Sequence, residues 1–143
     1  MDKAVKGFTL IELVVVITIL GILAAFAFPR FAALEVEARA ATVEGLGGSV
    51  RSAASLAHSL ALATGAAASG SVTMEGSVID LVFHYPDLAT IDNTLVDFTG
   101  FTYSATTGIF QKTGAPAGTC DVTYAESASA GSPPTITVDT SAC

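Results

Sequence analysis

The sequence predicts an α+β protein: a long N-terminal helix, packed through its C-terminal half on an antiparallel β-sheet head that ends in a disulfide loop. Three observations carry this. Leu13 to Phe28 is an unbroken apolar run, apolar residues recur at helical spacing from Phe31 to Leu60, and short β-branched segments separated by turn residues follow Ser71. The length of 143 residues suits one such domain.

The first element is the apolar one. Leu13 to Phe28 reads LVVVITILGILAAFAF, and extending it back to Phe8 gives 21 residues whose only charge is Glu12. At about 1.5 Å per residue such a helix is roughly 31 Å long, the thickness of a bilayer's hydrocarbon core. Val and Ile are weak helix formers in water, but in lipid the backbone must satisfy its own hydrogen bonds, and a single segment does so as a helix. Lys3 and Lys6 precede the span and place residues 1–7 in the cytoplasm, with Arg30 a single opposing charge. A cleaved secretory signal is the competing reading, with Ala25-Phe26-Ala27 as its small-x-small site. Its apolar core, however, would exceed the usual 7–15 residues, and it gives Glu12 no purpose.

Glu12 requires an explanation. A carboxylate in the hydrocarbon region costs a few kcal/mol even on mild scales, so it is paired or functional. Lys3 and Lys6 lie beyond the Phe8-Thr9-Leu10-Ile11 stretch, and the sequence offers no nearer cation. Cutting the chain after Gly7 would create one: the freed Phe8 amine stands four residues from Glu12 on the same helix face. Amine and carboxylate could then pair within one chain or between neighbours, and the second arrangement couples charge neutralisation to assembly. A Glu at a frayed helix start near the headgroups is the plain alternative.

The helix continues beyond Pro29. Phe31, Leu34, Ala38 and Ala41 form one stripe, and Leu46, Val50, Ala53, Ala57 and Leu60 another; both are expected to pack on a sheet. Gly45, Gly47 and Gly48 each cost up to about 1 kcal/mol against Ala, which predicts the weakest point of the helix there. Gly65 is placed as its C-cap. Glu35, Glu37, Arg39, Glu44 and Arg51 read as a solvated or inter-subunit face. Pro29 removes a donor and clashes with the preceding turn, so a kink or break is expected, with Gly21 as the other weak position.

Residues 65–70 form the loop into the sheet. Strands are predicted at Ser71–Met74, Ser77–His84, Val96–Phe98, Phe101–Tyr103, Ile109–Gln111, Cys120–Tyr124 and Thr135–Val138. Tyr85-Pro86-Asp87 is read as a turn, Gly100 as a break between two short strands, and Ser104–Gly108 as a hairpin loop. Cys120 and Cys143 are the only cysteines, and an exported compartment lets them pair. A loop of that size stabilises by roughly 3 kcal/mol in the chain-entropy picture.

The composition excludes several functions. Thirteen acids against six bases give a net charge of −7, contrary to the basic face that nucleic acid requires. An apolar content of 51% argues against disorder. His58 and His84 have no ligand-spaced partner, and no Gly-x-Ser-x-Gly elbow, Walker A loop or dinucleotide fingerprint occurs, so no catalytic, cofactor or metal residues are assigned. Asp87, Asp92 and Asp97 offer oxygen ligands for Ca²⁺ but follow no EF-hand spacing.

Lys-Ala-Val-Lys-Gly7 followed by Phe8-Thr9-Leu10-Ile11-Glu12-Leu13 resembles the processing site and N-terminal helix of type IV prepilins. The resemblance implies a short cytoplasmic leader (1–7), cleavage between Gly7 and Phe8 by a prepilin peptidase, and N-methylation of Phe8. It further implies that Glu12 meets the N-terminal amine of an adjacent subunit. Residues 8–29 would be the transmembrane and filament-core helix, and 30–143 the periplasmic or extracellular head, with helix over 30–64 and sheet and disulfide loop over 71–143. Pro29-Arg30-Phe31, the Ala/Gly-rich stretch through Ala53, Tyr85-Pro86 and Cys120-x-Val-x-Tyr124 with a C-terminal cysteine look most like the major pilins of mannose-sensitive haemagglutinin pili.

The function implied is that of a structural, non-enzymatic subunit polymerising through its helix into a surface filament for attachment. The partners implied are identical subunits, the peptidase/N-methyltransferase, and an inner-membrane assembly platform with its ATPase, with no nucleic acid. The precursor would sit in the inner membrane of a Gram-negative-type bacterium before joining the extracellular pilus. By resemblance, helix between Gly21 and Pro29 can be lost in the filament, and the disulfide bounds an exposed C-terminal loop. The alternatives are a minor pilin or pseudopilin of a secretion or DNA-uptake system and, more remotely, a membrane-anchored exported binding protein or enzyme.

Overall fold

The computed structural model describes residues 7–143. One helix, α1 (Leu10–Thr64), comes first, followed by seven strands, and the chain divides into two compact units at Val36/Glu37, inside α1.

The first unit is helix alone. Its most apolar 18-residue window has a mean hydropathy of 2.7 and buries none of its surface, so by length and composition it can cross a membrane. Helix is maintained through Gly21 and Pro29. The stripe that begins Phe31-Leu34 does not pack on a sheet: these two residues are 70% and 58% exposed. Helical period marks an apolar face without saying what covers it.

The second unit holds the core. Val43, Leu46, Val50 and Ala54 of α1 pack with Ile91, Phe110, Cys120, Val122, Tyr124 and Cys143. One turn further on, Ala57 and Ala61 pack with Val72, Met74, Ile79 and Leu81. The glycine cluster does not interrupt the helix. Gly47 is buried, and a Cβ there would strike Val138 Cγ2 at 2.5 Å and touch Val122, so its small size permits close helix–sheet approach. Gly45 and Gly48 face open space.

The helix ends as predicted at Gly65, whose φ of +66° suits a residue without Cβ. Gly65 N–H donates to the Leu62 carbonyl at 3.3 Å and Ala66 N–H to the Ala61 carbonyl at 2.9 Å, a Schellman arrangement that satisfies two terminal carbonyls.

The head contains two antiparallel sheets rather than one. The first runs β1 (Ser71–Met74), β2 (Ser77–Val82), β3 (Tyr85–Pro86); the second runs β4 (Phe101–Ser104), β5 (Ile109–Lys112), β6 (Asp121–Ala125), β7 (Thr135–Asp139). Their registers include Val72 opposite Ile79, Phe110 opposite Val122, and Asp121 opposite Asp139. Alternating burial along β1 and β2 marks their core faces.

Two sequence expectations fail locally. Tyr85-Pro86 is a strand, paired with Val82 and Leu81, and the turn lies one dipeptide earlier at Phe83-His84, where φ is +52° and +69°. Proline is tolerated because β3 is an edge strand. Val96–Phe98 is loop, not strand: Asp97 Oδ1 accepts from Thr99 N–H at 2.8 Å and Thr99 Oγ1 at 2.5 Å, a local turn that competes with a ladder. A 3₁₀ turn over Ile91–Thr94, unforeseen, seats buried Ile91. The Ser104–Gly108 loop does connect β4 to β5; Gly108 has φ +69°, and any side chain there would enter the Tyr124 carbonyl and the Leu88 side chain.

The disulfide joins Cys120 to Cys143, with Cα atoms 4.9 Å apart. Arg39 Nη1 donates to the Cys143 carbonyl at 3.3 Å, fastening the C-terminal segment to α1.

Candidate functional site

The segment singled out by the sequence begins at the first described residue. Gly7 is open, with nothing within 4 Å of where a Cβ would stand, and Phe8 is 83% exposed. The helix starts at Leu10, which makes Thr9 its N-cap. Thr9 N–H donates to Glu12 Oε2 at 2.9 Å, Thr9 Oγ1 donates to the same oxygen at 2.7 Å, and Glu12 N–H donates to Thr9 Oγ1 at 3.3 Å. This is a capping box, in which N-cap and N3 side chains satisfy each other's backbone donors.

Glu12 thus has a neutral partner where the sequence pointed only to a cation. The signal for it was present: Thr-x-x-Glu immediately before an apolar run. The cap holds the carboxylate at the helix start, a short step from Phe8, and supplies donors without a positive charge. Leader residues 1–6, including Lys3 and Lys6, lie outside the described residues.

The other singled-out residues have structural partners. A carbonyl oxygen only accepts, so His58 Nδ1, 3.1 Å from the His84 carbonyl, carries the proton. The His58 ring stacks on Tyr85 with centroids 4.0 Å apart. Asp87 Oδ1 accepts from Thr90 N–H at 2.9 Å and from Thr90 Oγ1 at 2.7 Å, and Asp97 is engaged by Thr99, so two of the three candidate calcium ligands hold loops. Among the described residues no group of three or more His, Cys, Asp or Glu could hold a metal ion. Tyr103 donates to the Leu88 carbonyl at 2.5 Å. Burial, reinforced by the charges of Asp92, Asp87 and Glu126, pushes its phenol up to about 12.

Comparison with known families points to the same segment. Residues 2–28 match the family model described as "Prokaryotic N-terminal methylation motif". The chain is also similar to "Type IV narrow pilus major component PilA5" of Thermus thermophilus, 54% identical over 52 residues. That match covers 36% of this chain and 45% of the relative, so the chain spans less than half the length of the curated protein it matches. No solved structure matches it.

Proposed function

We propose that the chain is the structural subunit of a type IV pilus. The observation that carries this reading is a capped helix start, Thr9 to Glu12, set between an open Gly7-Phe8 junction and an apolar helix with no partner of its own among the described residues. Cleavage after Gly7 frees the Phe8 amine, which the prepilin peptidase methylates. The precursor waits in the inner membrane, and assembly exchanges lipid contacts for helix–helix contacts. Glu12 leaves its Thr9 cap, wholly or in part, for the Phe8 amine of a neighbouring subunit.

In the filament, the segment from Gly21 to Pro29 gives up part of its helix, since Pro29 cannot donate a backbone hydrogen bond and Gly21 is a poor helix former. The similarity to a narrow-pilus major component supports the reading, and the methylation motif supports the processing step. The subfamily of mannose-sensitive haemagglutinin pilins rests on the sequence features alone.

Shearing cells and sequencing the released fibres tests the proposal. The expected result is this chain as the main component, beginning at N-methylated Phe8. A mature chain beginning elsewhere, or confinement of the protein to short periplasmic fibres, would refute it.

A further inference from the structure

The head's second feature of interest is a cavity of about 210 Å³ where α1 meets the ends of β3 and β7, lined by Arg51, Ser55, Tyr85, Pro133, Pro134 and Ile136. We propose that it binds one carboxylated sugar ring, such as the uronic acid unit of an acidic polysaccharide.

Charge selects the ligand's anionic group. From Glu37 onward the chain has ten acids and only three bases, Arg39, Arg51 and Lys112. Lys112 sits over the Phe101 ring and donates to the Gly100 carbonyl, and Arg39 donates to the Cys143 carbonyl. Arg51 uses only Nη2, toward the Ile136 carbonyl at 3.2 Å, and has no ion pair among the described residues. Its remaining donors form the planar fork that suits a carboxylate. The surrounding acids weaken attraction for a polyanion, but at physiological salt screening confines them to about 8 Å.

The other walls select the rest of the ligand. Pro133, Pro134, Ile136 and the Tyr85 ring provide apolar surface for the C–H face of a sugar. His58 stacks on Tyr85 and is itself fixed by the His84 carbonyl, so the ring is held in place before binding. The Ser55 and Tyr85 hydroxyls have no hydrogen-bond partner among the described residues and meet ring hydroxyls. An inorganic anion would leave the apolar walls idle, and the volume falls below the roughly 300–1,000 Å³ of sites for larger ligands, which limits occupancy to one ring.

The test titrates full-chain protein in detergent micelles with D-glucuronate and, separately, D-glucose, followed by NMR shifts. Glucuronate should saturate with shifts centred on Arg51, Ser55, Tyr85 and Ile136, and glucose should bind at least 10-fold more weakly. Arg51→Ala should weaken glucuronate at least 10-fold. Arg51→Gln, which removes the charge and the fork while keeping a polar, helix-compatible side chain at this exposed position, should do the same with the fold intact. No saturable binding to the natural protein, equal binding of glucose, or unaltered binding to Arg51→Gln would overturn the proposal. None of these readouts depends on filament assembly, so the site and the pilus reading stand or fall separately.

Discussion

The buried Tyr124 hydroxyl on β6 donates to the Pro86 carbonyl on β3 at 2.6 Å, a direct bond between the two sheets of the head. Leu88, two residues past β3, adds further ties: its carbonyl accepts from Tyr103 Oη on β4 and its N–H donates to Glu126 Oε2, next to β6, at 3.2 Å.

Tyr124→Phe tests this bond. It leaves the Pro86 carbonyl unpaired in a buried place, which costs about 1–3 kcal/mol. Thermal unfolding of the head should shift down by several degrees, since 1 kcal/mol is worth about 4–8 °C at this size. An unchanged midpoint would mean that water takes the hydroxyl's place.

The three helix glycines should divide. Gly48→Ala meets nothing and should stabilise by about 0.5–1 kcal/mol through helix propensity. Gly47→Ala gains the same propensity but drives a methyl into Val138 and should be destabilising by about 1–3 kcal/mol. Urea denaturation of the two variants side by side should give shifts of opposite sign.

Asp121 is 4% exposed, and burial, with the Asp139 carboxylate opposite, pushes its carboxyl up despite a hydrogen bond from Thr123 Oγ1. A carboxyl raised in the folded state binds its proton more tightly there than when unfolded. Its contribution is therefore favourable at low pH and is lost as pH rises from the unfolded value near 3.9 through the raised one. Asp121→Asn should stabilise the head at pH 7 and have a vanishing effect at pH 3. Asp139 is shifted downward by Ser141, so Asp139→Asn should show the opposite trend, small because the side chain is only partly buried on an edge strand.

Replacing Cys120 and Cys143 together by Ser should cost roughly 3 kcal/mol, the loop-closure value for a separation of 23 residues. Chemical denaturation under non-reducing conditions measures it, and dithiothreitol should produce a comparable loss in the natural protein.

The N-terminal cap allows the proposed pairing of Glu12 to be tested apart from its capping. Thr9→Val should cost the helix start about 1 kcal/mol, seen as roughly fivefold faster amide exchange at its first turn in micelles. Glu12→Gln keeps a capping side chain and should leave that exchange nearly unchanged, while filament incorporation falls sharply for want of a charge. Normal fibre yield from Glu12→Gln would refute the charge-pairing step.

Much of this architecture was legible in the residues. β1 at Ser71–Met74, the Gly65 stop and the cysteine pair follow from local chemistry, and each has near-correct bounds in the sequence. The split into two sheets was not legible because helix length decides it. The buried stretch Val43–Ala61 spans roughly 27 Å at 1.5 Å per residue, more than one small sheet covers. The Phe83-His84 turn was hidden because bulky residues at positive φ are unfavourable alone; the Ala68 and His58 bonds to His84 hold them there. The Thr9–Glu12 cap was visible in the spacing, but a charge in an apolar run points first to a cation and only second to a neutral hydroxyl.

Each strand pairs with the one before or after it in chain order, β1 through β3 and β4 through β7. Such hairpin succession needs no search for remote ladder partners, so strand pairing proceeds while little chain is available, and only docking on α1 brings distant segments together. Inner edges are thereby paired early, before they can meet the open edges of another chain.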